Sequence, residues 1–368
     1  GESYRAMVVQ DKDPDAEVWQ GRRVGAEAAL SVFSLDEAFE LSELNEALLE
    51  TLLGHDNLYF ALGENKQADA LVLDALQALR EAPKASLAPY SMHDTRPMLH
   101  EMRVFKSACE VAVMKTAGRI SAAAHKRAMQ FVKPGCYEYH LEAELHHSFA
   151  MQGARTPAYS TIVGSGENGC ILHYTENSAQ IKDGDLVLVD AGCEYQGYAA
   201  DITRTFPANG TFSKPQRDIY EWVLKAQEAV LTTLGPGSTL GEAMQQSAEV
   251  ITEGLVSLGL LGGTIAENLQ QETWRQFYMH GVGHFLGLDV HDVGDYKIDG
   301  QDRPLKPGMV LTIEPGIYIG NHLDVDEQYK GIGVRIEDNV VVTATGVDVL
   351  TADVPKTVDA IEALMKGA

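Results

Sequence analysis

The strongest constraint on the fold is an internal repeat. Residues 182–192 can be laid over residues 306–316 without a gap, and a lysine, two glycines and one acidic residue coincide. Upstream of each copy a Pro-Gly pair, at Pro134 and at Pro236, opens a helix-like stretch. The repeat predicts two copies of one αβ unit, each running from helix to β-hairpin, that face each other across a pseudo-twofold axis.

Five residues that can hold a metal lie on or beside the strands of this repeat. They are Asp190, Asp201, His284, Glu314 and Glu337. Asp190 ends an apolar run and Asp201 lies in the next strand-like run, so two antiparallel strands joined by a short loop would bring them together. A carboxylate has two oxygens and can give one to each of two cations. A single strand-end acid is often simply solvated, but the whole set predicts a dinuclear metal site between the two halves.

Length and composition limit the classes of protein to consider. The 368 residues, 45% of them apolar, are enough for two domains or one large one with a buried core. A formal charge of -24 repels polyanions, so we expect no nucleic-acid partner. No apolar stretch is long enough to span a bilayer, and the first residues lack a signal-peptide core. We therefore expect no membrane association and a cytoplasmic location.

The hydrophobic pattern divides the chain near residue 100. Residues 1–100 indicate a mixed α/β domain without visible chemistry, in which 36–53 form an amphipathic helix. Residues 101–368 carry the repeat and the candidate ligands, so they are the predicted catalytic domain.

Four long helices are predicted in the second domain. The first two cover about 106–131 and 138–151, and two more lie between residues 213 and 258. His146 and His147 are adjacent on the second helix and point about 100° apart, so we expect no metal site there.

Four other histidine positions point to chemistry. His280, His284 and His291 all fall within the glycine-rich stretch 278–292, where glycines let the backbone approach a site closely. Three imidazoles in such a stretch are hard to explain by packing alone. A fourth, His173, follows a turn-rich loop.

Taken with their neighbours, these residues resemble a known family. His173 in Ile-Leu-His-Tyr-Thr-Glu-Asn, Asp190 in Asp-Ala-Gly and Asp201 in Asp-Ile-Thr-Arg resemble the motifs of the Xaa-Pro aminopeptidases (aminopeptidase P). These belong to the pita-bread metallopeptidase family, which also includes methionine aminopeptidase, prolidase and creatinase. The resemblance runs from about residue 99 to about residue 350. It implies an α+β pita-bread fold, in which two pseudo-twofold-related αβ halves surround a curved antiparallel sheet, with a partial mixed α/β N-terminal domain.

The resemblance also implies a role for each candidate ligand. Asp190 would chelate one metal ion, His284 with Glu314 would hold the other, and Asp201 and Glu337 would bridge them. The family's metal is typically manganese, with zinc or cobalt as possible substitutes, and mostly oxygen ligands with one imidazole agree with that choice. A hydroxide bridging the two cations would attack the carbonyl carbon before proline, in peptides with proline at the second position.

Further implied roles concern the proton, the carbonyl oxygen and the substrate. Glu314 would accept the proton of the attacking water and pass it to the leaving nitrogen, while His173 and His291 would steady the carbonyl oxygen. The residues implied around the proline side of the pocket are His280, Arg335 and Tyr318. The chain is thus expected to be an Xaa-Pro aminopeptidase, a metal-dependent exopeptidase.

Alternatives to this function stay open. Prolidase has the same metal ligands but cuts only Xaa-Pro dipeptides, and the run 280–292 with the loop before His173 favours the aminopeptidase. A non-catalytic pita-bread binding module and a metal-independent creatinase-type hydrolase are both disfavoured, because all five ligands are present. Residues 1–99 resemble only the later portion of the family's N-terminal domain, which helps to build the oligomer. A homo-oligomer, dimer or tetramer, is therefore left open.

Overall fold

The computed structural model describes residues 4–81 and 87–367. The chain forms two compact units, Gly1–Leu99 and His100–Ala368, and each has its own hydrophobic core. Within the part of the chain that is described, no helix is both long and apolar enough to cross a bilayer.

The first unit contains two pairs of parallel strands with helices between them. β1 (Ala6–Val9) pairs with β2 (Glu37–Glu40), and β3 (Asn57–Tyr59) pairs with β4 (Ser91–His93). Parallel neighbours need a crossover connection, which helices supply here. These helices are α1 (Pro14–Gln20), α2 (Gly25–Val32), α3 (Leu44–Leu52) and α4 (Lys66–Glu81). Apolar residues of α3 and α4, such as Leu52 and Leu76, form the core of this unit.

The helix predicted over 36–53 is wrong at its beginning. Residues Glu37–Glu40 form β2, and α3 begins only at Leu44. Pairing with β1 overrides the helical pattern, because a tertiary contact outweighs a weak local preference. Glu40 then opens a short 3₁₀ turn, in which its backbone N–H donates to Glu43 Oε2 at 2.8 Å.

Helices, several of them with side-chain caps, frame the second unit. From residue 96 onward they are α5 (Arg96–Val104), α6 (Ala108–Phe131), α7 (Glu138–Met151), α8 (Lys214–Thr233), α9 (Leu240–Ser257), α10 (Ile265–Gln270) and α11 (Val358–Lys366). Ser107 and Glu110 close a capping box that starts α6, and Thr239 with Glu242 does the same for α9. The four long helices predicted in this region are confirmed as α6 to α9.

The strands of the second unit form small antiparallel sheets. In the first half they are β5 (Thr156–Pro157), β6 (Ile162–Ser165), β7 (Leu186–Asp190), β8 (Cys193–Tyr195), β9 (Tyr198–Ala199) and β10 (Thr203–Pro207). In the second half they are β11 (Lys297–Ile298), β12 (Gln301–Asp302), β13 (Val310–Ile313), β14 (Gly316–Ile319), β15 (Ile332–Arg335), β16 (Asp338–Val342) and β17 (Val347–Val349). The main sheets have the orders β10-β7-β6 and β13-β16-β17.

The internal repeat is present in the structure. β7 pairs with β10 in the first half as β13 pairs with β16 in the second, both antiparallel. The shared glycine before each strand has a reason, since Gly184 and Gly308 have φ angles of 88° and 92°, which other residues rarely adopt. The predicted short loop between the strands of Asp190 and Asp201 is instead a connection that contains β8 and β9.

A buried charged cluster joins the two halves of the second unit. The side chain of Arg204, on β10, is 0% exposed and donates from Nη2 to Asp338 Oδ1 at 2.7 Å and from Nη1 to the carbonyl oxygen of Glu337 at 2.5 Å. Gln227 of α8 donates to Asp338 Oδ2 at 3.1 Å, and Lys356 Nζ lies 3.0 Å from the same oxygen. This cluster, defined as Arg204, Gln227, Asp338 and Lys356, fixes the strand ends on both sides of the predicted metal site.

Candidate metal centre and active site

The five predicted metal ligands line one cavity of about 540 Å³. Four of them lie at strand ends, with Asp190 ending β7, Asp201 before β10, Glu314 after β13 and Glu337 before β16. The fifth, His284, lies in a loop. The next residue of that loop, Phe285, forms an isolated antiparallel bridge with Leu311 of β13. Because both strand pairs are antiparallel, the end of one strand meets the start of its partner, and the repeat supplies this arrangement twice.

Three of the five side chains are close enough to share a cation. One ligand atom each from Asp201, His284 and Glu337 lie within 4.8 Å of one another. His284 Nε2 is 3.5 Å from Asp201 Oδ2 and also 3.5 Å from Glu314 Oε1. Glu337 Oε1 is buried without any hydrogen-bond partner, which is costly for a carboxylate oxygen unless a cation binds it. The donor set therefore fits a divalent metal.

The electrostatics of the cavity agree with a cation site. Burial raises the pKa of Glu337 well above its usual value and the pKa of Glu314 to about 7, with neighbouring acids adding to both shifts. Burial also opposes the ionisation of Asp201, but the hydrogen bond and charge of His284, the Tyr159 hydroxyl and the charge of Arg335 together outweigh it and lower the pKa of that carboxyl. His284 is only partly buried, and its acidic neighbours raise its pKa to about 9 against the effect of that burial. Carboxylates crowded in this way hold protons unless cations replace them.

Two hydroxyl groups that the sequence analysis missed contact the predicted ligands. The Tyr159 hydroxyl lies 2.6 Å from Asp190 Oδ1 and 2.5 Å from Asp201 Oδ1, and Thr203 Oγ1 donates to Glu337 Oε2 at 2.7 Å. Tyr159 stands in no recognisable motif. The sequence offered an indication for Thr203, because this residue lies two positions after the predicted ligand Asp201, at the start of β10.

Helix α6 holds the turn that follows Asp190. His125 Nε2 donates to the carbonyl oxygen of Ala191 at 2.9 Å, and one helical turn earlier Ser121 Oγ accepts from Cys193 N at 3.0 Å. A carbonyl oxygen can only accept, so the proton of the imidazole is on Nε2. Burial lowers the pKa of His125 to about 4, and the ring is neutral at pH 7.

The residues predicted around the proline form a hydrogen-bonded chain. Arg335 Nη1 donates to the Tyr318 hydroxyl at 2.8 Å, and that hydroxyl lies 2.8 Å from His280 Nε2. His280 Nδ1 is 2.8 Å from the carbonyl oxygen of Gly281, so Nδ1 carries the proton and Nε2 accepts from Tyr318. Burial lowers the pKa of His280 to about 4, which agrees with this neutral form. Arg335 Nη2 also donates to Asp190 Oδ2 at 2.6 Å, so the chain contacts a predicted metal ligand.

The other two predicted histidines line the same cavity from separate loops. His173 comes from the loop after β6, and the ring of His291 lies 4.4 Å from that of His284 at an angle of 78°. Next to His291, Asp292 is buried and accepts from Lys106 Nζ at 2.9 Å and from Arg103 Nη2 at 2.5 Å. These ion pairs, which the sequence did not reveal, hold the loop of His291.

Comparison with known families agrees with this geometry. The model of metallopeptidase family M24 matches residues 112–344, which is more than half of the chain, and the N-terminal domain of aminopeptidase P matches residues 2–59. The chain belongs to metallopeptidase family M24. The predicted family, the pita-bread fold class and the expectation of an enzyme are confirmed.

The relatives point to one branch of that family. The chain is 53% identical over 360 residues to the Xaa-Pro aminopeptidase of Escherichia coli (strain K12), which covers 97% of this chain and 81% of the relative. It is 48% identical over 359 residues to the Xaa-Pro aminopeptidase of Haemophilus influenzae, with 98% and 81% covered. The Xaa-Pro dipeptidase of Mus musculus is 39% identical over 330 residues, covering 80% of the chain and 67% of that protein. The dipeptidase is therefore the more distant relative.

Solved structures give the same result. A zinc-substituted E. coli aminopeptidase P in complex with product superimposes with a TM-score of 0.95 at 53% identity, covering 97% of this chain and 81% of that one. Proline aminopeptidase P II from Yersinia pestis has a TM-score of 0.95 at 52% identity, covering 98% and 83%.

Proposed function

We propose that this chain is a metal-dependent Xaa-Pro aminopeptidase, which hydrolyses the bond between an N-terminal residue and a following proline. The convergence of Asp190, Asp201, His284, Glu314 and Glu337 on one cavity supports this function most strongly. Aminopeptidase P relatives at about half identity over nearly the whole chain support the choice of substrate class.

The five ligands would hold two divalent cations. Asp190 would bind one cation, His284 and Glu314 the other, and Asp201 and Glu337 would bridge. Manganese is the proposed metal, because oxygen donors outnumber the single imidazole, and zinc or cobalt are alternatives. When bound, the cations supply Lewis acidity and lower the pKa of a water so that it can attack a carbonyl carbon near neutral pH.

The protein's own groups would move the proton and bind the carbonyl oxygen. Glu314, whose pKa is near neutrality in the metal-free protein, would take the proton of the attacking water on a carboxylate oxygen and give it to the leaving nitrogen. His173 and His291 line the cavity and would donate N–H groups to the substrate carbonyl oxygen as it gains charge. Burial lowers the pKa of His291, so its ring is a neutral donor.

A proline-specific pocket follows from the chemistry of the substrate. Proline has no backbone N–H and its ring fixes φ, so enzymes that need that donor handle Xaa-Pro bonds poorly. Apolar side chains of Ile162, Leu172 and Val290 line the cavity and would pack against the ring. His280 and Arg335 line it too, and with the adjacent Tyr318 they would shape the proline side.

Substrate length is the decisive test. Manganese-loaded protein is incubated with Xaa-Pro-Xaa tripeptides and with Xaa-Pro dipeptides, and the released N-terminal residue is measured. We expect release from the tripeptide, with metal-stripped protein and Asp201→Ala as inactive controls. Release from the dipeptide alone would identify a prolidase, and no release from either would favour a non-catalytic module.

The domain organisation and assembly complete the proposal. Residues 1–100 would form the N-terminal mixed α/β domain and residues 101–368 the catalytic domain. A cytoplasmic homo-oligomer, dimer or tetramer, is proposed, and light scattering on the purified protein would give its mass.

A further inference from the structure

One buried carboxylate of the second unit has no part in the chemistry proposed above. Glu138 is the first residue of α7, and its side chain is 0% exposed. Its Oε1 accepts from Ser165 N at 2.8 Å, Ser165 Oγ at 2.7 Å and Asn168 Nδ2 at 3.1 Å. Its Oε2 accepts from the Tyr174 hydroxyl and from Ala179 N, both at 2.8 Å. Each of these donors is neutral, so five hydrogen bonds stabilise the buried carboxylate.

The five donors bracket the loop that carries His173. Ser165 ends β6 and so begins the loop, Ala179 lies at its far end, and Tyr174 directly follows His173. Between Ser165 and Ala179 the only regular element in the described chain is the short 3₁₀ turn Gly166–Cys170. The course of the loop is therefore set by side-chain contacts rather than by a helix or strand.

A second contact from the same helix face supports this view. Glu142, one turn after Glu138 on α7, accepts from Asn177 Nδ2 at 3.0 Å, and the same amide nitrogen donates to the carbonyl oxygen of Thr161. Positions four apart on a helix lie on one face. The face of α7 that presents Glu138 and Glu142 thus holds the loop near both of its ends.

We propose that Glu138 is a positioning residue, which fixes the loop over residues 165–179 so that His173 faces the cavity. The inference rests on the proposed function, because the position of His173 matters for kcat only if His173 donates to the substrate carbonyl oxygen. Glu138 touches no predicted metal ligand among its described partners, so its effect passes through His173 and not through the cations.

Glutamine cannot replace Glu138 in this position. An amide has one accepting oxygen and one NH₂ group that only donates. In one orientation the NH₂ faces Ala179 N–H, and in the other it faces Ser165 N–H, neither of which can accept. One end of the loop must open in either case.

The test is a double-mutant cycle on turnover of an Xaa-Pro-Xaa tripeptide by the manganese-loaded protein. Glu138→Gln should lower kcat by roughly tenfold to a hundredfold, because small displacements of a reacting group have effects of that size, with bound metal unchanged. In a His173→Ala background the same substitution should lower kcat by less than about threefold, because the group it positions is gone. Glu144→Gln is the matched control on the same helix, since its carboxylate pairs with Arg127 Nε at 2.5 Å, and kcat should be unchanged.

Several outcomes would overturn the proposal. An equal loss of kcat in both backgrounds would mean that Glu138 acts through general stability, and wild-type kcat in Glu138→Gln would remove its role altogether. If Glu138→Gln does not fold, Tyr174→Phe takes its place in the cycle, because it removes a single donor.

A measurement that does not depend on enzymatic activity tests this inference separately from the proposed function. Amide hydrogen exchange at Ser165 and Ala179 should accelerate in Glu138→Gln and not in Glu144→Gln. If wild-type protein hydrolysed no peptide, the proposed function would fail. Hydrogen exchange would still show whether Glu138 holds the two ends of the loop. If His173→Ala alone kept wild-type kcat, the proposed role of His173 would fall, and the positioning role with it.

Discussion

Metal binding should release protons from the side chains of the cavity, and the number released follows from the pKa values of those side chains. At pH 7 the metal-free protein holds nearly one proton on His284, whose pKa is about 9, and about half a proton on Glu314, whose pKa is about 7. The raised pKa of Glu337 acts in the same direction. Ligands must be deprotonated to bind a cation, so at least about 1.5 protons should leave.

The sign of the pH dependence follows from this release. Groups with raised pKa values keep protons that compete with the cation, so the apparent affinity for manganese must rise as pH rises. A release of about 1.5 protons raises the apparent association constant roughly thirtyfold per pH unit near pH 7. Lowering the pH towards the usual pKa of a carboxyl group should therefore empty the site.

Calorimetry measures the release directly. Manganese is titrated into metal-stripped protein at pH 7 in two buffers with different ionisation enthalpies, and the difference in heat gives the protons transferred. His284→Asn should lower the release by less than one proton, since it removes the group with the pKa of about 9 but also a positive charge that lowers the pKa of Glu314. Buffer-independent heats with an affinity that does not change with pH would refute the argument.

Three further predictions concern single side chains. Asp201→Ala should lower kcat/KM by several orders of magnitude and reduce bound metal, because one of its oxygens lies within 4.8 Å of ligand atoms of His284 and Glu337; wild-type turnover would refute its bridging role. Arg204→Met should lower the free energy of unfolding by about 3 kcal/mol in urea titrations, since it removes the buried cation bound to Asp338 and leaves only Lys356 to pair with that carboxylate; a loss below about 1 kcal/mol would contradict this. His146→Ala should lower stability by about 1 kcal/mol and leave kcat unaltered, because its imidazole hydrogen-bonds to Thr161 Oγ1 at 2.9 Å and not to a predicted ligand; a large loss of kcat would show a missed function.

The sequence predicted those features that rest on local patterns. Asp190 and Glu314 follow apolar runs that are long enough to be strands, so their place at strand ends could be read directly. The repeated glycines had a local reason in the positive φ of Gly184 and Gly308. The long helices were readable for the same reason, since their caps and apolar spacing lie within the segments themselves.

Features that depend on contacts between distant segments were missed. Tyr159 reaches Asp190 and Asp201 across 31 and 42 residues of sequence, and no motif marks a tyrosine for that contact. Lys106 pairs with Asp292 over a separation of 186 residues. β2 was mistaken for helix because its partner strand, not its own pattern, decides its conformation. Such contacts become visible only once the fold brings the segments together.

The charged cluster around Arg204 bears on whether the two halves of the second unit can fold separately. Its arginine belongs to the first half, whereas Asp338 and Lys356 both belong to the second, so the first half alone would leave Arg204 without its acidic partner. Fragments cut near Asn209, between β10 and α8, should be unstructured separately and regain a cooperative fold when mixed. Each half of the repeat would then depend on the other in order to fold.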